Sequence, residues 1–369
     1  MTIGVEGLWG ATINGDEIDS DELRMLNIEE IADLSLPTAH IQFRTQEISK
    51  VKKYITPGYK VQLHLDDGGA GAGKGTGGSI DANFVVFKKK MQTYQGNDEW
   101  LVDTWLVLDN LDYYNKHRME TYNTWSDKKK SSEVISTVGS RVGLNPKVKS
   151  SDDKMLWIQH NITDRRFLEE VAYHGWFGEK QPFAFGIKKN SDLIYKPIPD
   201  LLNKKFKIGD MDECDIKVNE YNMSISDGFL TSWVGKERVT PTRLHEEGLD
   251  IEYDVNTEAL ISNDIGLYDN VKYAPIGWQN DNVHANWFKA ESQNIQYRAS
   301  LSSMSMNIGL HGEFRDISIL DCFQGLWENA SGIALKEISG LWLATKVSHR
   351  ITSEHYTVVI QLSRERSLE

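Results

Sequence analysis

The sequence predicts a mainly β, α+β protein: two antiparallel β-barrel-like domains flanking a small α+β module, with an insertion in the second barrel. Three observations carry this. Apolar residues recur with period two near both ends, the period lengthens to that of a helix in the middle third, and Gly, Asn and Asp cluster between the runs.

Taken in order, residues 22–34 are expected to form one short helix ahead of the sheet. Residues 38–45 then alternate, with Ala39, Ile41 and Phe43 on one face, as do residues 59–65 with Tyr59, Val61, Leu63 and Leu65. Residues 82–88 and 100–108 continue the pattern with Phe84, Val86, Trp105 and Val107. Successive side chains of a strand point to opposite faces, so such runs make a half-buried sheet. Between the second and third runs lie seven glycines from Gly68 to Gly78. Lys74 is followed by Gly75, where a Walker A loop needs Ser or Thr. Gly73, Gly75 and Gly78 do satisfy G-x-G-x-x-G, yet both phosphate motifs need the N–H groups of a following helix, and a strand-like run follows instead. Residues 67–79 are therefore read as an elongated hairpin tip, with Gly68, Gly71, Gly73, Lys74, Gly75 and Gly78 as candidate partner contacts.

Residues 132–142 place Val134, Ile135, Val138 and Val142 at helical spacing, with Ser131 or Ser132 as cap and Gly143 as stop. A second helix starts at Thr163 or Asp164 and presents Phe167, Leu168, Val171 and Ala172 on one stripe. Alternation returns at 216–224, 297–308, 317–322, 341–351 and 356–362. The expected division is a first barrel over 1–115, the α+β module over 116–205, a second barrel from 206–236 and 295–369, and an acidic insertion over 237–294.

The 369 residues are 40% hydrophobic, with 11 Trp, 14 Tyr and 12 Phe, enough for several cores in a folded protein. No apolar run is long enough to span a membrane, and the amino terminus lacks the basic start and apolar stretch of a signal peptide, so synthesis in the cytoplasm is expected. Cys214 and Cys322 are the only cysteines, which excludes a disulfide framework or a Cys-based metal site; both read as small core residues. The net charge of −13 argues against general affinity for nucleic acid. Nine carboxylates between Glu246 and Asp281 face one Lys272. That stretch is either a solvated face or a surface that repels a passing polyanion, with Glu246, Glu247, Asp250, Glu252 and Asp254 as candidates for an acidic channel surface.

Motifs for chemistry break down one by one. His245-Glu246-Glu247-Gly248-Leu249 begins like a zinc motif but has Leu249 at the second ligand position. Asp250, Glu252, Asp254 and Asn256 alternate like a calcium loop, but Val255 stands where the turn needs Gly and Ile261 where a bidentate Glu belongs. There is no G-x-S-x-G and no local nucleophile signature around either Cys. A glycosidase pair cannot be read from 54 acids without their separation. No catalytic residue, metal site or cofactor is expected. Trp105 and Trp157 fall in apolar patterns and are expected in the core; Trp278 and Trp287, in the insertion, are candidate partner contacts.

The stretch from Trp157 through Thr163-Asp164-Arg165-Arg166-Phe167-Leu168 to Ala172-Tyr173-His174-Gly175 resembles a recurring element of phage tail hub proteins. The same element, a strand, a T-D-x-x-F-L helix start and an A-x-x-G end, occurs in late control protein D and the VgrG spike proteins. Residues 122–143 resemble the helix preceding it. Gly340 to His349 with residues 356–364 resemble the last strands of that family's second barrel, and Pro57-Gly58-Tyr59-Lys60-Val61 a turn and strand of its first. The resemblance implies that both barrels are tube-type domains of a non-enzymatic baseplate hub. It implies a homotrimer with a central channel, adapting a six-fold tail tube to a three-fold spike and letting the genome pass without binding it. The implied partners are a tube or distal tail protein above, a spike or tail-tip protein below, and a tape measure protein; the implied location is the virion, after assembly in the host cytoplasm. A cell-wall-degrading tail enzyme and a glycan-binding tail module are the alternatives.

Overall fold

The structure, a computed structural model, describes residues 10–14, 16–17, 22–49, 52, 56–66, 79–93, 99–122, 127–178, 181–218, 221–225, 232–234, 237–239, 251–254, 259–262, 271–272, 284–287, 290, 294, 304–311, 316–328, 335, 338–352 and 356–364. Strands β1 (Gly10–Ile13), β2 (Asp16–Glu17), β3 (Leu23–Ile31), β4 (Thr38–Thr45), β5 (Lys60–Asp66), β6 (Ser79–Thr93) and β7 (Trp100–Leu108) come first. The middle elements are α1 (Asp112–Asn115), β8 (His117–Thr121), α2 (Ser131–Arg141), β9 (Asn145–Val148), β10 (Ile158–Thr163), α3 (Asp164–Tyr173), β11 (Phe183–Ile187) and β12 (Asp192–Pro197). Next are β13 (Lys204–Gly209), β14 (Ile216–Lys217), β15 (Tyr221–Ile225), β16 (Ser232–Val234), β17 (Glu237–Val239), β18 (Ile251–Asp254), β19 (Ala259–Ser262) and β20 (Val271–Lys272). The last four are β21 (Met304–His311), β22 (Cys322–Leu326), β23 (Gly340–Thr352) and β24 (Tyr356–Arg364). The chain is mainly β and α+β, with the middle elements set between two strand-rich parts.

Those two parts share one 14-stranded sheet. Its order is β14-β13-β22-β23-β3-β4-β7-β6-β5-β1-β2, and β24, β21 and β15 continue from the other side of β23. The seam is β23 against β3, antiparallel from Lys346 opposite Ile31 to Thr352 opposite Met25. β23 can serve three partners because its first residues pair with β22 and its later ones with β3, while β24 runs along its other edge. No pairing among the described strands closes either half into a ring. The inner face buries Leu26, Ile28, Ile41, Phe43, Leu63 and Phe84 on one side of the seam and Met306, Val347, Val358 and Ile360 on the other. Each such side chain contributes about 1.5–3 kcal/mol on leaving water.

Residues 22–34 depart from expectation: they contain strand β3, not a helix. A β-bulge between Leu23 and Met25 breaks the alternation, and Glu30 takes a core position where an apolar residue would have completed it. Leu23, Leu26 and Ile28 consequently fall three and then two residues apart, which interrupts the period-two signal of a strand. Residues 317–321 form a turn leading into β22, with Leu320 at φ 64°, and of the expected run only Cys322 is in a strand. Trp105 is not core: it is half-exposed on the outer face, stacked on His40 at 5.0 Å with Lys88 4.8 Å over its ring. Cys322 is buried, whereas Cys214 is only part-buried in the turn before β14. The helix α2 begins one residue early, and its first N–H groups are satisfied from afar: Asp153 Oδ1 accepts from Ser131 N at 2.6 Å and Ser151 Oγ from Ser132 N at 3.2 Å. Gly143, at φ 81°, ends it as expected.

Gly209 stands where the sheet leaves no room for a side chain. At φ 146°, a Cβ there would lie 1.7 Å from the carbonyl oxygen of Leu326, its partner in the parallel pair β13–β22. Gly209→Ala is expected to lower the unfolding free energy by at least about 2 kcal/mol, seen as a lower urea midpoint. An unchanged midpoint would mean that β13 can separate from β22 at no cost.

Candidate assembly surfaces and their junction

The turn between β11 and β12 drives two lysines into the place where the amino-terminal strands, the middle elements and the carboxy-terminal strands meet. Lys189 is buried, and its ammonium donates to Ser318 Oγ at 2.6 Å and Ile317 O at 3.0 Å, with Asp316 at 3.1 Å and Glu30 Oε2 at 3.4 Å. The Lys189 N–H adds a 2.7 Å bond to Glu30 Oε1. Glu30 is wholly buried; burial pushes its carboxyl above the ordinary value, against the pull of Lys189. Lys188 and Lys205 both reach Asp321, at 3.1 and 2.9 Å, and Asp321 in turn accepts from Ser318 N at 3.0 Å. His349 closes the cluster, its Nε2 donating to Ile317 O at 2.8 Å while its Nδ1 accepts from the Tyr356 hydroxyl at 2.7 Å. Burial, with Lys189 nearby, holds His349 well below the usual imidazole range. The arrangement fixes three parts of the chain at one orientation.

A second ionic cluster organises the middle elements. Asp164, at the start of α3 and fully buried, is bound by Arg118 at 3.0 Å, by Arg141, and by Gln159 at 3.1 Å. Thr163 Oγ1 caps the same helix end by accepting from Arg166 N. These contacts tie β8, α2, β10 and α3 into one block.

The outer face of the sheet is exposed on both sides of the seam. Across the seam, strand register aligns Thr357, Arg350, Asn27, His40, Trp105 and Lys88 in one row over six strands. Ile31, Phe87, Leu341 and Val359 are exposed apolar side chains in the sheet, and Met119 on β8 is 79% exposed. A cleft of 330 Å³ opens beside the junction, lined in part by Ile31, Phe183, Phe185, Thr345 and Gln361. Among the described residues no cluster of three or more metal-ligating side chains is found, and no helix is long and apolar enough to cross a membrane.

Of the residues singled out in the sequence, Gly68, Gly71, Gly73, Lys74, Gly75, Gly78, Glu246, Glu247, Asp250 and Trp278 lie outside the described residues. Glu252 and Asp254 belong to β18, which pairs with β19. Trp287 is half-buried against the middle elements, on His174 and Trp157. The junction residues were not anticipated. Glu30 and His349 each stand in phase with apolar neighbours, which is the signal that could have found them; Lys189 carries none.

No family model and no curated protein matches the sequence. Solved structures do match the fold. A 43 kDa tail protein of prophage MuSo2 from Shewanella oneidensis superposes with a TM-score of 0.57 at 9% identity, over 98% of this chain and 100% of that one. The chain has a phage tail-protein fold. A tail protein from Neisseria meningitidis shares it with a TM-score of 0.56 at 8% identity, over 97% and 96% of the two chains. An Escherichia coli type VI secretion component, itself described as similar to the bacteriophage T4 tail proteins gp27 and gp5, gives 0.53 at 8%, over 96% of this chain and 76% of that one. The tail-protein fold therefore spans the whole arrangement of strand-rich parts and middle elements, and not one module alone.

Proposed function

We propose that this chain is the structural hub of a phage tail baseplate, working by geometry and not by catalysis. The observation that carries this reading is the fold match over nearly the full length of both chains to a tail protein. In this reading residues 1–115 and the pair 206–236 and 295–369 are equivalent tube-type domains, 116–205 is the module between them, and 237–294 is an insertion. Three copies then offer six similar domains to a six-fold tube and keep three-fold symmetry for a spike; a closed ring also covers sheet edges such as β15. Tube and spike proteins are the partners, and DNA passes through the channel. The net charge of −13 and the acidic run beginning at Glu246 support a lumen that repels DNA.

Light scattering over a concentration series is expected to find a species near 126 kDa, three times 42.0 kDa. Imaging of that species should show a ring with a central hole and the insertion facing inward. A 42.0 kDa monomer at every concentration, with tube and spike proteins added, would overturn the hub. An insertion on the outer rim would remove the acidic lumen and leave the hub standing.

A further inference from the structure

Among the described residues Lys189 is the only buried lysine, and its side chain keeps just 4% of its surface. Two carboxylates from distant parts of the sequence reach its ammonium. Asp316 Oδ1 stands 3.1 Å from Nζ and Glu30 Oε2 3.4 Å, while Ile317 O and Ser318 Oγ accept from it at 3.0 and 2.6 Å. The carboxyl carbon of Asp316 is one C–O bond, about 1.2 Å, from Oδ1. Amine nitrogen and carboxyl carbon are therefore held in near contact before any reaction, which removes the entropy of bringing them together.

Each group is fixed by further bonds. The Lys189 N–H donates to Glu30 Oε1 at 2.7 Å, so one carboxylate grips both the backbone and the side chain of the lysine. Lys205 Nζ donates to the carbonyl of Asp316 at 2.9 Å and pins that residue. Asp321, the other carboxylate of the junction, is bound by Lys188, Lys205 and the Ser318 N–H.

The surroundings favour loss of charge. A buried ammonium and carboxylate are costly to keep ionised, and neutralising both relieves that cost. Burial raises the Glu30 carboxyl, which makes it a better proton acceptor than an ordinary carboxylate. The Asp316 side chain, in contrast, is 55% exposed, so a water formed there has a way out.

We propose that Lys189 and Asp316 close into an intramolecular amide, with Glu30 carrying the protons. Glu30 takes one proton from the ammonium and passes it to the Asp316 carboxylate, which leaves a neutral amine facing a neutral acid. The nitrogen attacks the carboxyl carbon, the N–C bond forms and one C–O bond breaks. The departing oxygen receives a second proton from the nitrogen through Glu30 and leaves as water. Ammonium plus carboxylate thus become amide plus water, with no oxidant or other reagent, and Glu30 ends as it began. The ion pair is the state before closure. The bond joins the turn between β11 and β12 to the residues before β22 and makes one contact of the junction covalent.

Mass spectrometry of the denatured full chain tests the bond. The intact mass is expected to fall one water short of the sequence, and a protease digest should contain one branched peptide in which Lys189 carries Asp316. The digest is needed because an aspartate that cyclises onto its own backbone also loses water. Lys189→Arg, which keeps the positive charge, and Asp316→Ala should each return the full sequence mass. Glu30→Gln should do the same, since its amide cannot carry the protons. A wild-type chain at full sequence mass after a week at pH 7.5, or separate peptides holding Lys189 and Asp316, would overturn the bond and leave a buried ion pair only. A branched peptide that persists in Glu30→Gln would overturn the part given to Glu30. If a variant does not fold, the wild-type mass and digest decide alone.

Discussion

Replacing Lys189 by methionine is expected to cost about 3–5 kcal/mol of stability, because it leaves Glu30 buried without its cation. The loss should show as a lower urea midpoint with little change in slope, since the surface exposed on unfolding stays the same. It should also shrink as the pH is lowered. Burial already raises the Glu30 carboxyl, and without Lys189 it will take up a proton more readily, which converts a buried charge into a buried acid. Glu30→Leu combined with Lys189→Met should recover most of the lost stability, since a buried pair replaced as a whole leaves no stranded charge. A wild-type midpoint for Lys189→Met would show that the junction is held by packing alone. The fold-wide consequence is larger than the local one, for Lys189 comes from the middle elements, Glu30 from β3 and Ser318 from the turn before β22.

The second large effect is acid lability. His174 and His349 are buried with their pKa values depressed, and His284 shifts the same way. A depressed imidazole is neutral in the folded chain but takes up a proton on unfolding, so its contribution is complete above its ordinary value of about 6.5 and declines as the pH falls below it. Each costs at most about 1.4 kcal/mol per pH unit until its folded value is reached, and all three act in the same direction. Glu30, raised by burial, acts in the opposite direction at lower pH, where the folded chain holds its proton more tightly than the unfolded one. Urea midpoints at pH 7.5, 6.5, 5.5 and 4.5 should therefore fall steeply between the second and third. Constant midpoints down to pH 5 would remove the histidine account. His349→Gln should flatten the curve if its amide keeps the bonds to Ile317 and Tyr356.

The legible parts of this fold were those where local period and burial agree. β4, β5 and most of β24 follow alternation and were found by it, as were α2 and α3 by the stripes at Val134–Val138 and Phe167–Val171; β7 was found although Val102, Asp103 and Thr104 are buried in succession. β3 was missed because a bulge shifts its phase and a glutamate sits among its core positions. Trp105 was misplaced because an aromatic ring on an outer sheet face has the same sequence neighbours as one inside. The seam could not be read at all. A strand's sequence says which face it buries but not which distant strand it meets, and β3 and β23 stand more than three hundred residues apart. The docking of Trp287 on His174 escaped for the same reason: nothing in the insertion's composition points to the end of α3.

That seam sets an order of events during synthesis. β3 leaves the ribosome early, yet one of its two neighbours, β23, is not complete until residue 352 has been made. At about 5–20 residues per second the wait is roughly 15–65 s. Through that interval β3 is an open edge in a nascent chain, where unpaired N–H and C=O groups invite the wrong strand. A charge pointing inward is one of the devices that discourage such pairing, and β3 carries one in Glu30. The carboxylate that costs stability when it is sealed into the junction is therefore a guard while the chain is being made, and Lys189, synthesised midway, is the residue that stands it down.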